Sequence, residues 1–134
     1  MRIFSKSLSY TLKAIIYLAN NSEGRLTLAA EIAKEEKIPY HYLSKLLQQL
    51  TKFRIVDSTK GRNGGFKITN KGLNSTVSTI IELIDGPGSK LECILHKSEC
   101  PRRKPCALHK YWDKTRNDIH NSLNMKIKDL IIKK

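Results

Sequence analysis

The sequence predicts a mainly α-helical fold with one small β-hairpin, and two observations carry that prediction. Apolar residues recur at the spacing of a helix face along most of the 134-residue chain. One glycine-rich stretch lies between two short β-prone segments and indicates a hairpin. Hydrophobic residues make up 40% of the chain and aromatic residues 7%, which is the balance of a globular domain and not of a disordered chain.

Two helices are predicted before residue 38. Five residues within 7–19 share one helix face: Leu8, Leu12, Ile15, Leu18 and Ala19. Thr27 is the expected N-cap of a short second helix. In that helix we expect Leu28, Ile32 and Ala33 to point inward.

The third helix is the most informative, and we expect it to begin near Pro39, because proline is tolerated in the first turn of a helix. Its apolar stripe is Leu43, Leu46, Leu47 and Leu50, and its opposite face is His41, Ser44, Lys45, Gln48 and Lys52. That polar face contains no carboxylate. A helix that enters the major groove needs donors and acceptors for base edges and no acids against phosphates. A merely solvated face usually mixes Glu with Lys, so the pattern favours DNA contact.

A hairpin is predicted after the third helix. Residues 55–57 and 66–69 are β-prone, and the segment between them contains three glycines, which allow positive φ and a tight tip. Lys60 and Arg62 lie at this tip, where they can reach phosphates or a minor groove. Two helices, a basic helix and a basic hairpin, in that order, predict a winged helix–turn–helix over residues 1–75.

Charge supports a polyanionic partner. The formal net charge is +13, and residues 1–75 hold 13 basic and 5 acidic side chains. This favours nucleic acid over an anionic membrane surface. The chain has no apolar run near the ~20 residues of a membrane span and no apolar signal core in residues 1–6, so we expect a cytoplasmic protein. No catalytic constellation is found, and we expect neither an enzyme nor a small-molecule substrate.

Residues 76–134 are expected to form a sensor loop and dimerisation helices in one compact unit with the DNA-binding part. A fourth helix is predicted over 76–85, with Val77, Ile80, Ile81 and Ile84 on one side. A loop over 87–107 follows, and then a long final helix. Its apolar stripe, close to a 3.5-residue period, consists of Leu108, Trp112, Thr115, Ile119 and Leu123. This stripe suits a dimer interface or packing within its own chain, and the dimeric habit of such DNA readers favours the first. We expect residues 127–131 to fold back onto this helix.

The loop contains all three cysteines, at the spacing Cys93-x6-Cys100-x5-Cys106-x2-His109. Thiolates with an imidazole suit zinc or an iron–sulfur cluster. The loop lacks the short knuckle of structural zinc sites, and its basic residues 102–104 would favour thiolates and an anionic cluster. An iron–sulfur cluster is therefore favoured. Zinc, free thiols and a thiol–disulfide switch remain alternatives, and His96 and Glu99 are further potential ligands.

Four parts of the chain together resemble a known family. These are the opening residues 1–6, the stretch 38–47, the stretch 60–66, and the cysteine trio with Trp112. Over nearly its whole length the chain resembles the bacterial family of transcription regulators that includes IscR and NsrR. The resemblance implies a winged-helix homodimer on a palindromic double-stranded DNA operator, with half-sites about one helical turn apart.

The resemblance also implies site residues. Cys93, Cys100, Cys106 and His109 would ligate a cluster, and three thiolates with one imidazole favour 2Fe–2S. Lys6, Tyr40, Tyr42 and Asn63 would join the residues already named at the DNA. Three positions depart from the family pattern: the first cysteine gap is one residue longer, Ser44 replaces an acid of IscR, and Leu8 replaces an acidic ligand of nitric-oxide sensors. The alternatives are regulation by thiol redox or a partner protein, and a zinc-containing or RNA-binding winged-helix protein.

Overall fold

Six α-helices, a two-stranded hairpin and one 3₁₀ helix make up the described part of the chain, which comprises residues 4–21, 25–86 and 107–131 of this computed structural model. The elements are α1 (Lys6–Asn20), α2 (Ala29–Glu36), α3 (Tyr40–Lys52), β1 (Val56–Thr59), β2 (Gly65–Ile68), α4 (Asn70–Asn74), α5 (Val77–Asp85), α6 (His109–Ser122) and the 3₁₀ helix Ile127–Leu130. This confirms the predicted fold class. No helix in the described ranges is long and apolar enough to cross a membrane.

α1 is the central helix of the core. Ser5 caps its N-terminus, because the Ser5 side chain accepts a hydrogen bond from the Leu8 amide at 3.1 Å. Four of the five residues predicted to face inward, Leu8, Ile15, Leu18 and Ala19, are buried, and Leu12 is half-buried against the same core. Thr11 is buried with them, although its hydroxyl has no hydrogen-bond partner among the described residues.

The start of α2 differs from the prediction. Thr27 is not the N-cap, because its backbone pairs with Phe66 through two N–H···O bonds of 2.8 Å. Leu28 takes the N-cap position without a side-chain cap and is 59% exposed, so the expectation that it points inward was wrong. Ile32 is buried and Ala33 is half-buried, as expected. Pairing of residue 27 with the hairpin thus overrides the local capping preference.

Three residues connect α2 to α3 and complete the helix–turn–helix. Lys37 ends α2 in the left-handed conformation at φ 55°, and the Ile38 amide bonds the Ala33 carbonyl at 2.9 Å. Pro39 precedes α3, which therefore begins where the sequence predicted. The predicted apolar stripe Leu43, Leu46, Leu47 and Leu50 is buried.

The hairpin is antiparallel, with Val56 opposite Ile68 and Thr59 opposite Gly65. Thr27 extends it by one residue pair on the far side of β2. Gly65 has φ +152°, and a Cβ at this position would lie 2.8 Å from the Thr27 carbonyl oxygen. Glycine at position 65 therefore allows the hairpin to approach the start of α2 closely.

The short helix α4 was not predicted from the sequence. Thr69 caps it by accepting from the Gly72 amide at 2.9 Å, and the same hydroxyl donates to the Arg54 carbonyl at 2.7 Å. α5 follows with Val77, Ile80 and Ile81 buried and Ile84 half-buried, which confirms the predicted fourth helix.

The chain after α6 returns to the DNA-binding part. The Val77 amide donates to the Met125 carbonyl at 3.0 Å, and the Ile127 amide donates to the Ser75 carbonyl at 2.9 Å. Ile127 is fully buried in the core, and its 3₁₀ helix packs on α1 and α4. The expectation that this segment folds back onto α6 was therefore wrong: the core of α1 and α4 takes the apolar side chain instead.

Candidate nucleic-acid interface

α3 presents its polar face to solvent. His41, Lys45, Gln48 and Lys52 are exposed, and Ser44 is half-buried, opposite the buried leucine stripe. The period of the helix sets both faces, since the polar positions lie between the leucines. The structure thus brings together the five side chains that the sequence assigned to one face.

Two tyrosines flank the start of this surface. Tyr40 is 51% exposed and its ring lies edge-on to His41, with ring centroids 5.7 Å apart. Tyr42 points toward α1, where its hydroxyl hydrogen-bonds Ser7 and its ring meets Tyr10 at 5.4 Å, with an interplanar angle of 81°. Lys6 lies over the Tyr10 ring, with Nζ 5.6 Å from the centroid. The first turn of α1 therefore adjoins the first turn of α3.

The hairpin forms the other wall of this surface. Lys60, Arg62 and Asn63 at its tip are exposed, and the Gly64 amide closes the turn on the Gly61 carbonyl at 3.0 Å. Between the hairpin and α3 lies a groove of about 590 Å³, whose lining includes Tyr40, Gln48, Lys52 and Lys60. No acidic side chain lines the described groove.

Glu31, an acidic residue of α2, is engaged away from the groove. Glu31 accepts from the Tyr17 hydroxyl at 2.7 Å and from Arg25 Nη2 at 2.6 Å. Burial, together with the hydrogen bond to Glu31, raises the pKa of Tyr17 to about 12. In the described part of the chain, Lys45, Lys52, Lys60 and Arg62 form no ion pair within the protein. Their charges are therefore available to a polyanion.

α6 and its N-cap residue Leu108 present a mainly apolar face that includes four of the five predicted dimer residues. Leu108 and Thr115 are exposed, and Trp112 and Ile119 are half-buried. Leu123, the fifth, lies just after α6 and packs partly against the core of its own chain. The sequence analysis missed Tyr111, which is 62% exposed at the i+3 position from Leu108. The helical spacing of the stripe was the signal that could have revealed it.

The predicted metal ligands are only partly within the described residues. Cys93, Cys100 and Cys106, with His96 and Glu99, lie outside them. His109 is the first residue of α6, so its backbone position is given while its side chain is not described. Other neighbours of the DNA surface that the sequence did not indicate are Leu28, which lines the groove, and Ser7 and Tyr10, which contact Tyr42.

The fold and this surface define a class: a helix–turn–helix transcription regulator that binds DNA, with the hairpin as its wing. Comparison with known proteins identifies the family within this class. A family model described as "Rrf2: Iron-dependent Transcriptional regulator" matches residues 4–133. The chain belongs to the Rrf2 family.

Individual relatives agree with this assignment. The chain is 38% identical over 133 residues to a protein of Aquifex aeolicus provisionally described as an HTH-type transcriptional regulator, covering 96% of this chain and 91% of that protein. The fold of the present chain is similar to that of CymR, the global cysteine regulator of B. subtilis. The TM-score is 0.79 and the identity 24%, with 97% of this chain and 96% of CymR covered. It is also similar to IscR of T. potens, with a TM-score of 0.75, 21% identity and coverage of 97% and 85%. These comparisons confirm the family resemblance and the winged-helix fold.

Proposed function

We propose that this regulator is a homodimer that binds a palindromic operator and places α3 of each subunit in the major groove. The observation that carries the proposal is the acid-free groove between α3 and the wing, with basic side chains on both walls. The α3 wall carries hydroxyl, amide and ammonium groups, from Tyr40, Thr51, Gln48 and Lys52, and these supply donors and acceptors that base edges require. A wing with Lys60 and Arg62 supplies charge for phosphates.

The residues divide into two roles. His41, Ser44, Lys45 and Gln48 lie on the first turns of α3 and are assigned to base edges. Lys52, Lys60, Arg62, Lys6 and Asn63 are assigned to the phosphate backbone, with Tyr40 beside them. Replacing a base-reading residue should lower operator affinity and relax sequence preference, whereas replacing a phosphate-binding lysine should weaken all DNA equally.

The dimer is supported by the apolar face of α6. Leu108 and Tyr111 expose large apolar surfaces on one helix side, together with half-buried Trp112 and Ile119. A contiguous face of this kind in a regulator is suited to the same face of a second copy. Tyr111→Glu should produce monomers in analytical ultracentrifugation, while Tyr111→Phe should remain dimeric. A dimeric Tyr111→Glu protein would place the interface elsewhere.

We further propose that Cys93, Cys100, Cys106 and His109 hold a 2Fe–2S cluster. Three thiolates and one imidazole are a donor set that binds iron in this form, and His109 begins α6 at the end of the segment that holds the cysteines. The cluster supplies a redox-sensitive group when bound. Ligation by these residues would tie the start of α6 to the segment after α5. A coupling of about 1–3 kcal/mol between this event and DNA binding corresponds to a change of roughly 5- to 150-fold in operator affinity.

Operator binding is tested by footprinting on duplex DNA. A two-fold symmetric footprint, lost in Gln48→Ala, supports the regulator, and binding to RNA without such a footprint would refute it. Lys52→Gln should lower the slope of log affinity against log salt by about 0.9 per subunit contact. Lys128→Gln is the matched control, because Lys128 is exposed in the 3₁₀ helix and does not line the groove.

Cluster binding is tested on protein purified without oxygen, by its visible spectrum and its content of iron, sulfide and zinc. Cys100→Ser should remove both colour and iron. Colourless, iron-free protein after attempted reconstitution would refute the cluster. A zinc content of one atom per chain would instead support the zinc alternative.

A second candidate keeps the DNA surface and replaces the cluster by thiol chemistry of the three cysteines. The presence of three cysteines within one short segment supports it, and the chain shares its fold with CymR, a regulator named for cysteine. The same preparation separates the two candidates. Iron-free protein whose operator affinity changes on reversible oxidation, and not in Cys100→Ser, would favour thiol control.

A further inference from the structure

The first turn of α1 is hydrogen-bonded to the end of α5. Ser5 donates its hydroxyl proton to Asp85 Oδ1 while its oxygen accepts from the Leu8 amide at 3.1 Å. Asp85 is the last residue of α5, directly before Gly86 at φ +97°. One serine therefore both caps α1 and fastens its start to the end of α5.

The same turn contacts the recognition helix. The Ser7 and Tyr42 hydroxyls share a hydrogen bond, the Tyr10 ring lies edge-on to Tyr42 at 5.4 Å, and Lys6 lies over Tyr10. Tyr42 is in the first turn of α3, next to His41. Residues 5–10 thus connect the end of α5 to the turn of α3 that begins the DNA surface.

The start of α3 has no cap of its own. Pro39 occupies the N-cap position and provides no side-chain hydrogen bond to the helix. Helix ends without caps fray, because their first amides lack intrahelical partners. Leu43 buries its side chain in the core, and the Tyr42 side chain adds a hydrogen bond and a ring contact that hold the exposed side of this turn against α1.

We propose that Asp85, Ser5 and Ser7 are positioning residues, which set the orientation of the first turn of α3 for operator reading. The inference deepens the proposed function and rests on it. These hydrogen bonds lie at the surface, where a single bond contributes little to folding. Their main effect is expected on the discrimination between operator and other DNA, because discrimination depends on where His41 and Lys45 are held.

The position of Asp85 at the end of α5 extends the proposal from positioning to regulation. Residues 87–106, which contain the three cysteines, follow α5 in the sequence. A change in that segment that moves the end of α5 reaches α3 through Ser5, the first turn of α1 and Tyr42. Without the Asp85 acceptor, a change in the cysteine segment should no longer alter the position of the recognition helix α3.

The test compares Asp85→Ala with Asp85→Asn, since the amide keeps an acceptor oxygen for Ser5 and the methyl group does not. In apo protein, Asp85→Ala should bind the operator about three- to ten-fold more weakly, the effect of one lost hydrogen bond, and bind unrelated duplex DNA within two-fold of wild type. Asp85→Asn should match wild type on both DNAs. Tyr42→Phe, which keeps the ring and its Tyr10 contact, should reproduce the Asp85→Ala pattern.

Amide hydrogen exchange gives a readout that a loss of global stability does not reproduce. Asp85→Ala should raise exchange at the first hydrogen-bonded amides of α3, those of residues 43–45, while core amides of α1 keep their protection. Unchanged operator affinity in Asp85→Ala, or an equal loss on operator and unrelated DNA, would overturn the positioning role. A wild-type protein without operator preference would instead refute the proposed function.

Iron loading tests the regulatory part. The ratio of operator affinities with and without iron should fall toward one in Asp85→Ala and stay at the wild-type value in Asp85→Asn. An unchanged ratio in Asp85→Ala would overturn the link from the cysteine segment to α3. If wild-type protein takes up no iron, the cluster proposal fails, and the apo comparison above still decides the positioning role.

Discussion

The attachment of the wing to α2 depends on the absence of a side chain at Gly65. A Cβ at this position would lie 2.8 Å from the Thr27 carbonyl oxygen and 3.0 Å from the Thr27 carbonyl carbon. These are backbone atoms, so relief requires movement of the wing or of the start of α2. We therefore expect Gly65→Ala to separate the two segments and to weaken the pair of 2.8 Å hydrogen bonds between Thr27 and Phe66.

The size of the effect follows from two parts. An alanine held at φ +152° carries backbone strain of about 1–3 kcal/mol. Loss of the two backbone hydrogen bonds adds roughly 1–3 kcal/mol if both break. Movement of the wing relieves the backbone strain but breaks the hydrogen bonds, so the two contributions do not add in full. We therefore expect a total loss of stability of about 2–4 kcal/mol, which lowers Tm by roughly 10 °C for a chain of this size.

Gly61→Ala is the matched control. Gly61 also has positive φ, at +108°, but nothing lies within 4 Å of a Cβ there. Gly61→Ala should therefore lose stability through backbone strain alone. Both variants are compared by thermal unfolding at one protein concentration, since the proposed dimerisation would make Tm depend on concentration. Equal losses in Gly65→Ala and Gly61→Ala would refute the claim that the contact with Thr27 is the reason for glycine at position 65.

Three further variants test the core, a helix end and a half-buried phenol. Thr11→Val should raise the stability by about 1 kcal/mol, because it removes a buried hydroxyl without a described partner; an unchanged or lower Tm would show that the hydroxyl is satisfied. Lys37→Gly should stabilise the protein by about 0.5–1 kcal/mol, since glycine adopts the left-handed conformation at the end of α2 without strain. Urea unfolding measures this gain, and the control Lys34→Gly, which lies within α2, should destabilise the protein. Tyr17 should ionise near pH 12 in the folded protein, above the ordinary value for tyrosine, so its contribution to stability is present below about pH 10 and is lost as the pH rises through 12. Absorbance at the tyrosinate band should lose this late phase in Tyr17→Phe, and a midpoint near 10 would contradict the burial argument.

The DNA-binding half could be predicted because its signals are local. The leucine stripe of α3 fixes which side chains are buried, and the remaining positions, His41 to Lys52, are thereby placed on the opposite face. The glycines and basic residues of the wing are likewise specified within one short stretch. Because burial of one face of α3 determines which side chains form the other, residue composition and helical period were sufficient to predict this surface.

The errors arose where distant segments compete for the same backbone. Thr27 has the side chain of an N-cap, but its amide and carbonyl bond Phe66, almost forty residues later. Ile127 has the spacing of a helix-packing residue, but it fills the core beneath α1. The helix α4 is only five residues long and depends on Thr69, which also bonds the turn after α3. No period within a single stretch encodes such contacts.

α5 is held at both ends by parts of the chain with different roles. At its start, the Ser78 amide donates to the Leu123 carbonyl at 2.9 Å, and the Ser78 hydroxyl, which is buried, donates to the His120 carbonyl at 3.0 Å. Those carbonyls lie at the end of α6, the proposed dimer helix. At its end, Asp85 accepts from Ser5, which leads to the recognition helix. A rigid helix fixed in this way transmits displacement better than a loop would, because its ends cannot move independently. The nine residues of α5 therefore connect the end of α6 to the turn proposed to orient α3, through hydrogen bonds at both ends of the helix.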